Sequence, residues 1–561
     1  MEQVKGPEIV FEDRISDLPD AIIIHVLSFL PTLYAIRTSL LSKRWRSMWT
    51  LVPVLDFCDS RDIRDSKRHN ERNDRREKFY KFVDECLEHP YAETTISKLK
   101  LNMEDYGDSS RMNGWLRFPL KKNIHELNLR VRGAGYCIPQ FILHLRALTV
   151  LKLNGLAVRY LFPSSLPSLK ELYLMKIQMA NQALDYLLMG CPCLEILHVN
   201  YSYGLLNPKV KSLSLKSLDF RTGGGKDRHA HTIDVEAINL HSFLYSQGGR
   251  KKCNINLVQC RAIRNLTLIG AFLTDQWLED LIPQLPLLES LRLTNCYGLQ
   301  HMKIWNQHLK DFVLSVDRRL GSLEASIDTP NLVSFSYCGY KMFKISINAP
   351  NLLDAYINFP AYPRMNYNIE WYTSLIKFLS VFNGSKKVCV FSFHEKALII
   401  PDEVKKICSS PLPDLKHMKV QTATGSRLHG KVMLRKSLLW IAPSNLETLP
   451  IAPRPSGNSS QVLLRHATPS LVAGYLRYPY EPQASLQNSS REKRPLKMLD
   501  EEDHLLVMAL ADSTVSEMIL ATAEAIAVSI AISLIHAIAV LIACRNHHRL
   551  HQIRVLEVFR E

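Results

Sequence analysis

The chain has 561 residues, of which 46 % are hydrophobic, and its mean hydropathy of −0.07 fits a soluble, core-forming protein with several domains or one long repeat array. Its net charge of +16 comes from 70 basic and 54 acidic residues, but they are dispersed: the densest run, residues 61–78, mixes eight Lys/Arg with five Asp/Glu and reads as a solvated helix or loop, not a phosphate-binding patch. Twelve cysteines without a paired CxxC spacing, and no signal-peptide pattern at the start, argue against a zinc ribbon or a disulfide framework and for free thiols in a reducing compartment.

The first predicted elements are three short helices within DRISDLPDAIIIHVLSFLPTLYAIRTSLLSKRWRSMW (residues 13–49). Pro19 stands where a first helical turn tolerates it, and Ile22, Ile23, Val26, Leu27 and Leu30 follow at spacings of 3 and 4 that make one helical face. Pro31 ends that helix, Thr32 can cap the next, and Ser42 can cap a third that carries Trp45, Met48 and Trp49. So small a unit holds more apolar surface than it can hide, and indoles at i and i+4 point to a surface covered by another chain. The stretch closely resembles the plant-type F-box over residues 13–57, through LPD (18–20), HVLSFLPT (25–32), RTSLLSKRW (37–45) and LDF (55–57). That resemblance implies a helical hook docked on the Skp-type adaptor of a cullin-based SCF ubiquitin ligase. Carried over by position, the adaptor contacts are Leu18, Pro19, Ile23, Leu27, Leu30, Pro31, Leu40, Leu41, Ser42, Trp45 and Trp49.

Residues 58–95 read as a charged linker with a connecting helix. From residue 96 to 451 one pattern returns, apolar-x-x-apolar-x-apolar: ISKLKL (96–101), LKELYL (169–174), LEILHV (194–199), VKSLSL (210–215), LHSFLY (240–245) and LESLRL (288–293) are examples. Weaker copies stand at VCVFSF (388–393), LKHMKV (415–420) and LETLPI (446–451). Most steps lie near the roughly 20–29 residues of a leucine-rich repeat, with outliers of 16 and 36. A proline precedes the first apolar position by two in six copies, Pro167, Pro192, Pro286, Pro330, Pro350 and Pro413, and ends the preceding segment before each strand. Segments such as 181–191 and 274–285 read as short outer helices, and Cys191 and Cys193 as core residues beside a strand. The fold class is therefore α/β: an all-α N-terminal hook, then a solenoid with parallel strands on its concave face and short helices outside. An ordinary α/β domain is the alternative, disfavoured by the short, even spacing. The phrases CPCLEIL (191–197), DTPNLVSFSYCG (328–339), APNLLDAYINF (349–359) and LLWIAP (438–443) extend the resemblance to plant F-box/LRR proteins as far as residue 451, without the tryptophan-containing core of the FBD module.

Residues between the last two apolar positions of each copy should face the concave side: Lys100, Asn128, Lys152, Tyr173, His198, Ser214, Leu244, Thr267, Arg292, Val313, Ser336, Tyr356, Ser392 and Lys419. This mixed row carries no basic stripe, which argues against nucleic acid and for a protein target, with Tyr173, His198 and Arg292 as candidate contacts. No catalytic motif, cofactor motif or metal-ligand pattern stands out; HHRLH (547–551) is a weak metal signal. Residues 452–498, rich in Pro, Ser, Arg and Lys, read as a disordered linker, and 499–561 as a C-terminal helical region. The latter holds AIAVSIAISLIHAIAVLIAC (525–544), long enough to span a membrane as a tail anchor, to serve as a soluble apolar helix, or to be an end foreign to the family. The expectation is an SCF substrate-recognition adaptor of cytoplasm and/or nucleus, with no bond chemistry of its own; the alternative is a leucine-rich-repeat scaffold without a ubiquitination role.

Overall fold

The computed structural model describes residues 18–444, apart from 41, 60–68, 89–95, 104–108, 133–134, 160–163, 224–229, 249–251, 317–322, 341–343, 361–366 and 425–427. Leu41, the repeat copy at 446–451, the linker 452–498 and the segment 525–544 lie outside the described residues. The chain divides into two compact units, with the boundary between Leu156 and Ala157.

The first unit opens on the hook. Helix α1 (Asp20–Leu27) starts after Pro19, and α2 (Thr32–Arg37) starts after Pro31, each proline holding the extended backbone that precedes a helix. A third helix, α3 (Trp45–Met48), follows. Ser42 does cap it, its Oγ accepting the Trp45 N–H at 3.3 Å. Ile23, Leu27, Leu30, Ala35, Trp45, Met48 and Val52 close into one small core. Arg44 pins the turn to the first helix by donating to the Leu18 carbonyl at 2.6 Å and by pairing with Asp20.

Thr32 does not cap α2. Its Oγ1 accepts the backbone N–H of Asp56 at 2.8 Å, on strand β1 (Val54–Cys58). The LDF motif is therefore more than the end of the hook. It lies in a strand whose Leu55 and Phe57 are buried, and β1 pairs in parallel with β2 (Lys98–Met103) in the register Leu55↔Leu99, Phe57↔Leu101. Strands β3 (Glu126–Val131) and β4 (Val150–Asn154) continue the parallel order. Helix α4 (His69–Glu88) packs Tyr80, Val83 and Cys86 inward. Its Asp84 accepts from Trp115 Nε1 at 2.6 Å and from Arg111 Nε at 3.0 Å, and the Arg111 guanidinium lies 5.2 Å from the Tyr80 ring centre.

In the second unit parallel strands run in chain order from Glu171–Met175 to His417–Thr424, with alternate side chains buried. The alternation is what a strand buried on one face requires. Helices Asn181–Met189 and Asp275–Leu281 stand where outer helices are expected, the second capped by Thr274, whose Oγ1 accepts from the Trp277 N–H. Elsewhere the chain returns as short strands that form two three-stranded parallel sheets, Lys209–Lys211 with Thr232–Glu236 and Asn254–Asn256, and His301–Trp305 with Glu324–Asp328 and Lys344–Asn348. The outer layer is thus not uniformly helical. The returns that carry these helices, residues 176–195 and 270–289, are longer than the strand-forming returns 201–216 and 295–310.

Two repeat copies sit in a different register from that expected. The ladder strand is Ser217–Thr222, so the repeating phrase is LKSLDF (215–220), and Asp219, not Ser214, pairs with His198. Leu215, Leu218 and Phe220 are buried, whereas Val210 belongs to the outer strand Lys209–Lys211. From Leu194 to Leu215 is 21 residues and from Leu215 to Leu240 is 25, so the outlying 16-residue step disappears. Likewise Cys389, not Ser392, pairs with Tyr356 and Lys419. Asn239, Asn331 and Asn351 fix turns before ladder strands by donating to the carbonyls of Leu213, Gln307 and Pro330 at 2.7, 2.8 and 3.0 Å. Toward the C-terminal end the aliphatic core gives way to packed rings: Phe312 against Phe335, Phe335 against Phe382, and Tyr337 against Phe378 on helix Ile369–Ser380.

Candidate functional sites: an apolar hook face and an inner sheet face

The apolar run of α1 makes two faces. Ile23, Leu27 and Leu30 turn inward with Trp45 and are sealed in the hook's own core. Ile22, Val26 and Phe29, one residue earlier at each position, face solvent at 47, 37 and 59 % exposure, joined by Leu33 at 40 % and Leu40 at 62 %. Four of the residues expected to meet an adaptor, Ile23, Leu27, Leu30 and Trp45, lie in the hook's own core at 0, 1, 3 and 6 % exposure, because so small a unit needs them to close it. Leu18 and Trp49 are half-buried against that core, while Pro19, Leu40 and Ser42 are exposed and Pro31 partly so. Phe29 and Leu33 were not singled out by sequence reasoning. The usable signal was the doubled string 22-26-29 beside 23-27-30, which spacing alone cannot assign to inside or outside.

The inner face of the second unit holds the other candidates. Tyr173 and His198 sit on neighbouring strands in direct register, and their rings stack at 4.6 Å and 15°. His198 Nδ1 lies 3.3 Å from Asp219 Oδ2, and Arg221 donates to both Asp219 oxygens, from Nε to Oδ1 at 2.9 Å and from Nη2 to Oδ2 at 3.1 Å. Burial pushes the Asp219 carboxyl up, but the hydrogen bonds and charges of His198 and Arg221 outweigh it and hold the group below the usual carboxylate range. Tyr173 donates its hydroxyl to Glu171 at 3.0 Å. Asp219 and Arg221 were missed because the register was read five residues early.

Arg292 is not part of this cluster. It stands four ladder steps from His198, through Asp219, Leu244 and Thr267, or about 19 Å at the usual strand spacing. Its Nη2 meets Asp311 at 3.3 Å, which also accepts from the Ser290 hydroxyl at 3.0 Å. Cys191 is buried, and burial pushes its thiol up to about 12, but Cys193 is exposed and not a core residue. Among the described residues, no group of three or more His, Cys, Asp and Glu could hold a metal ion, and no helix is long and apolar enough to cross a membrane.

Two family models match the chain. The F-box domain model matches residues 15–57, and the model described as "FBD-associated F-box protein At5g56370, LRR repeats" matches residues 112–264. An F-box/FBD/LRR-repeat protein of Arabidopsis thaliana is 29 % identical over 346 residues, 59 % of this chain and 68 % of that relative. An F-box/LRR-repeat protein of the same plant is 36 % identical over 221 residues, covering 38 % of this chain and 41 % of the relative. The chain spans 36 and 41 % of the length of two further Arabidopsis thaliana relatives. A solved leucine-rich-repeat protein of Leptospira interrogans overlaps 63 % of the chain and 89 % of its own at 14 % identity, with a TM-score of 0.30.

Proposed function

For a chain that carries an F-box domain followed by FBD-associated leucine-rich repeats, we propose the role of substrate-recognition adaptor in an SCF-type ubiquitin ligase. The observation that carries this reading is the open apolar face of the hook. Its core is already complete, yet Ile22, Val26, Phe29, Leu33 and Leu40 remain in water. Exposed apolar side chains on a finished core suit a partner surface, and the F-box match supports a Skp-type adaptor as that partner. The inner sheet face, with the Tyr173–His198 stack and the Asp219–Arg221 pair at one end and Arg292 farther along, holds a protein target. The chain performs no bond chemistry in this reading. It raises the concentration of the target beside the charged ubiquitin carrier, and proximity replaces a catalytic group. The free buried thiols suit the reducing cytoplasm or nucleus.

The test is a binding titration of the full chain against a purified Skp-type adaptor. Wild type binds, and Phe29→Asp loses at least about tenfold in affinity with an unchanged melting profile, since the side chain is exposed. Wild-type protein that fails to bind at micromolar concentration removes the proposal.

A further inference from the structure

The sheet of the first unit carries positive charge that its own carboxylates do not consume. Along β2, β3 and β4 the leucines at 99, 101, 127, 129, 151 and 153 are buried, and the residues between them stand on the opposite face, partly exposed. That face holds Lys98, Lys100, Arg130 and Lys152 against Glu126 and, on β1, Asp56. Lys100 Nζ reaches Asp56 Oδ2 at 3.1 Å, and Lys98 and Lys152 share Glu126 Oε1 at 3.0 and 3.9 Å. Arg130 has no such partner. Its register neighbours are two neutral amides, Asn102 and Asn154, and among the described residues no hydrogen bond or ion pair reaches its guanidinium.

Lys100 and Lys152 are the diagonal neighbours of Arg130, one on each side at about 7–8 Å. They lie about 10 Å from each other, across Asn128. A guanidinium with all its donors free matches a carboxylate, which accepts two parallel N–H bonds. In an extended peptide, side chains two residues apart share one face at about 7 Å. Acidic residues at alternate positions would therefore bring one carboxylate to Arg130 and the next between Lys100 and Lys152.

We propose that this face holds an acidic segment of the target with Asp or Glu at alternate positions, Arg130 gripping one carboxylate and Lys100 and Lys152 flanking the next. This reading rests on the target-holding role above and adds the chemistry of a segment that the target presents. Nucleic acid is the weaker occupant, since these four strands turn no aromatic side chain to that face for a base to stack on, and Asp56 and Glu126 would meet its phosphates.

The test is fluorescence anisotropy of a short labelled peptide, glutamates alternating with glycines, titrated with the full chain at about 0.15 M salt, where charges beyond about 8 Å are largely screened. The peptide with glutamine in place of glutamate is the neutral control. Wild type binds the acidic peptide and not the neutral one. Arg130→Gln, which breaks no bond of the fold, and Asn128→Asp, which sets a carboxylate between the two lysines, each weaken binding about tenfold or more. Lys81→Gln removes the same charge from α4, on the side where Phe82 packs against the buried Phe57, and leaves affinity unchanged. Equal binding of the neutral peptide, an equal loss in Lys81→Gln, or a tighter Arg130-dependent grip on a single-stranded oligonucleotide overturns the proposal. If the Skp-type adaptor does not bind while the Arg130-dependent peptide affinity persists, the acidic-segment site stands and the ligase role falls; if the adaptor binds and the peptide does not, only the acidic-segment site falls.

Discussion

Phe29 and Trp45 are both aromatic and both lie within the F-box match, yet they do opposite things. Trp45 is 6 % exposed and belongs to the hook core, while Phe29 is 59 % exposed and lies outside that core, its ring edge-on to His25 at 5.0 Å. Trp45→Ala should lower the unfolding free energy of the hook by about 3–5 kcal/mol, measured by denaturant titration. An adaptor-binding loss in that variant would report unfolding and not a lost contact. Asp219 offers a second residue-scale expectation. Its folded pKa lies below the unfolded value of about 3.9, so its stabilising contribution is fully present above about pH 4 and is lost as pH falls through the folded value. Asp219→Asn should therefore cost about 1–3 kcal/mol at pH 7 and progressively less toward pH 3. An equal deficit at both pH values in urea titrations would contradict the ion-paired geometry.

At the scale of elements, one hydroxyl and one carbonyl help fasten the hook to the first paired strands. Thr32 Oγ1 accepts from Asp56 N–H, and the Pro53 carbonyl accepts from Ser97 N–H at 2.8 Å. Thr32→Val keeps the shape and leaves a strand N–H without its acceptor, so hydrogen exchange at Asp56 should accelerate and stability fall by about 1–3 kcal/mol. Protection at Asp56 equal to wild type would show that the bond contributes nothing. The turns that close the repeats are equally particular. Gly298 has φ +88°, and a Cβ there would lie 2.4 Å from the Leu273 carbonyl oxygen. Gly298→Ala is thus expected to lower the melting temperature, at a cost above about 1 kcal/mol. Much of this level was legible beforehand: the segment 274–285 reads as a short outer helix, and the structure has Asp275–Leu281 there, with Thr274 as its cap. The register at VKSLSL was not legible, because VKSLSL and LKSLDF overlap and both offer three apolar positions, of which only the ladder to Ile196–Asn200 selects one.

For the whole molecule, stability is a sum over neighbours, since each repeat buries its strand face only against the next. Eleven free cysteines among the described residues mean that no covalent staple shares that load, so the melting temperature should be the same with and without reductant. A fall on adding dithiothreitol would reveal a disulfide that this account does not contain. The sequence by itself determined the order of parts, the strand-by-strand apolar period and the family resemblance, because these are written in local spacing that any neighbour must respect. Only tertiary structure decided which of two helical stripes faces inward, which of two overlapping phrases joins the ladder, and that LDF (55–57) starts the first unit's sheet. Those choices turn on what lies across from a side chain, and a contact partner dozens of residues away leaves no mark on local periodicity.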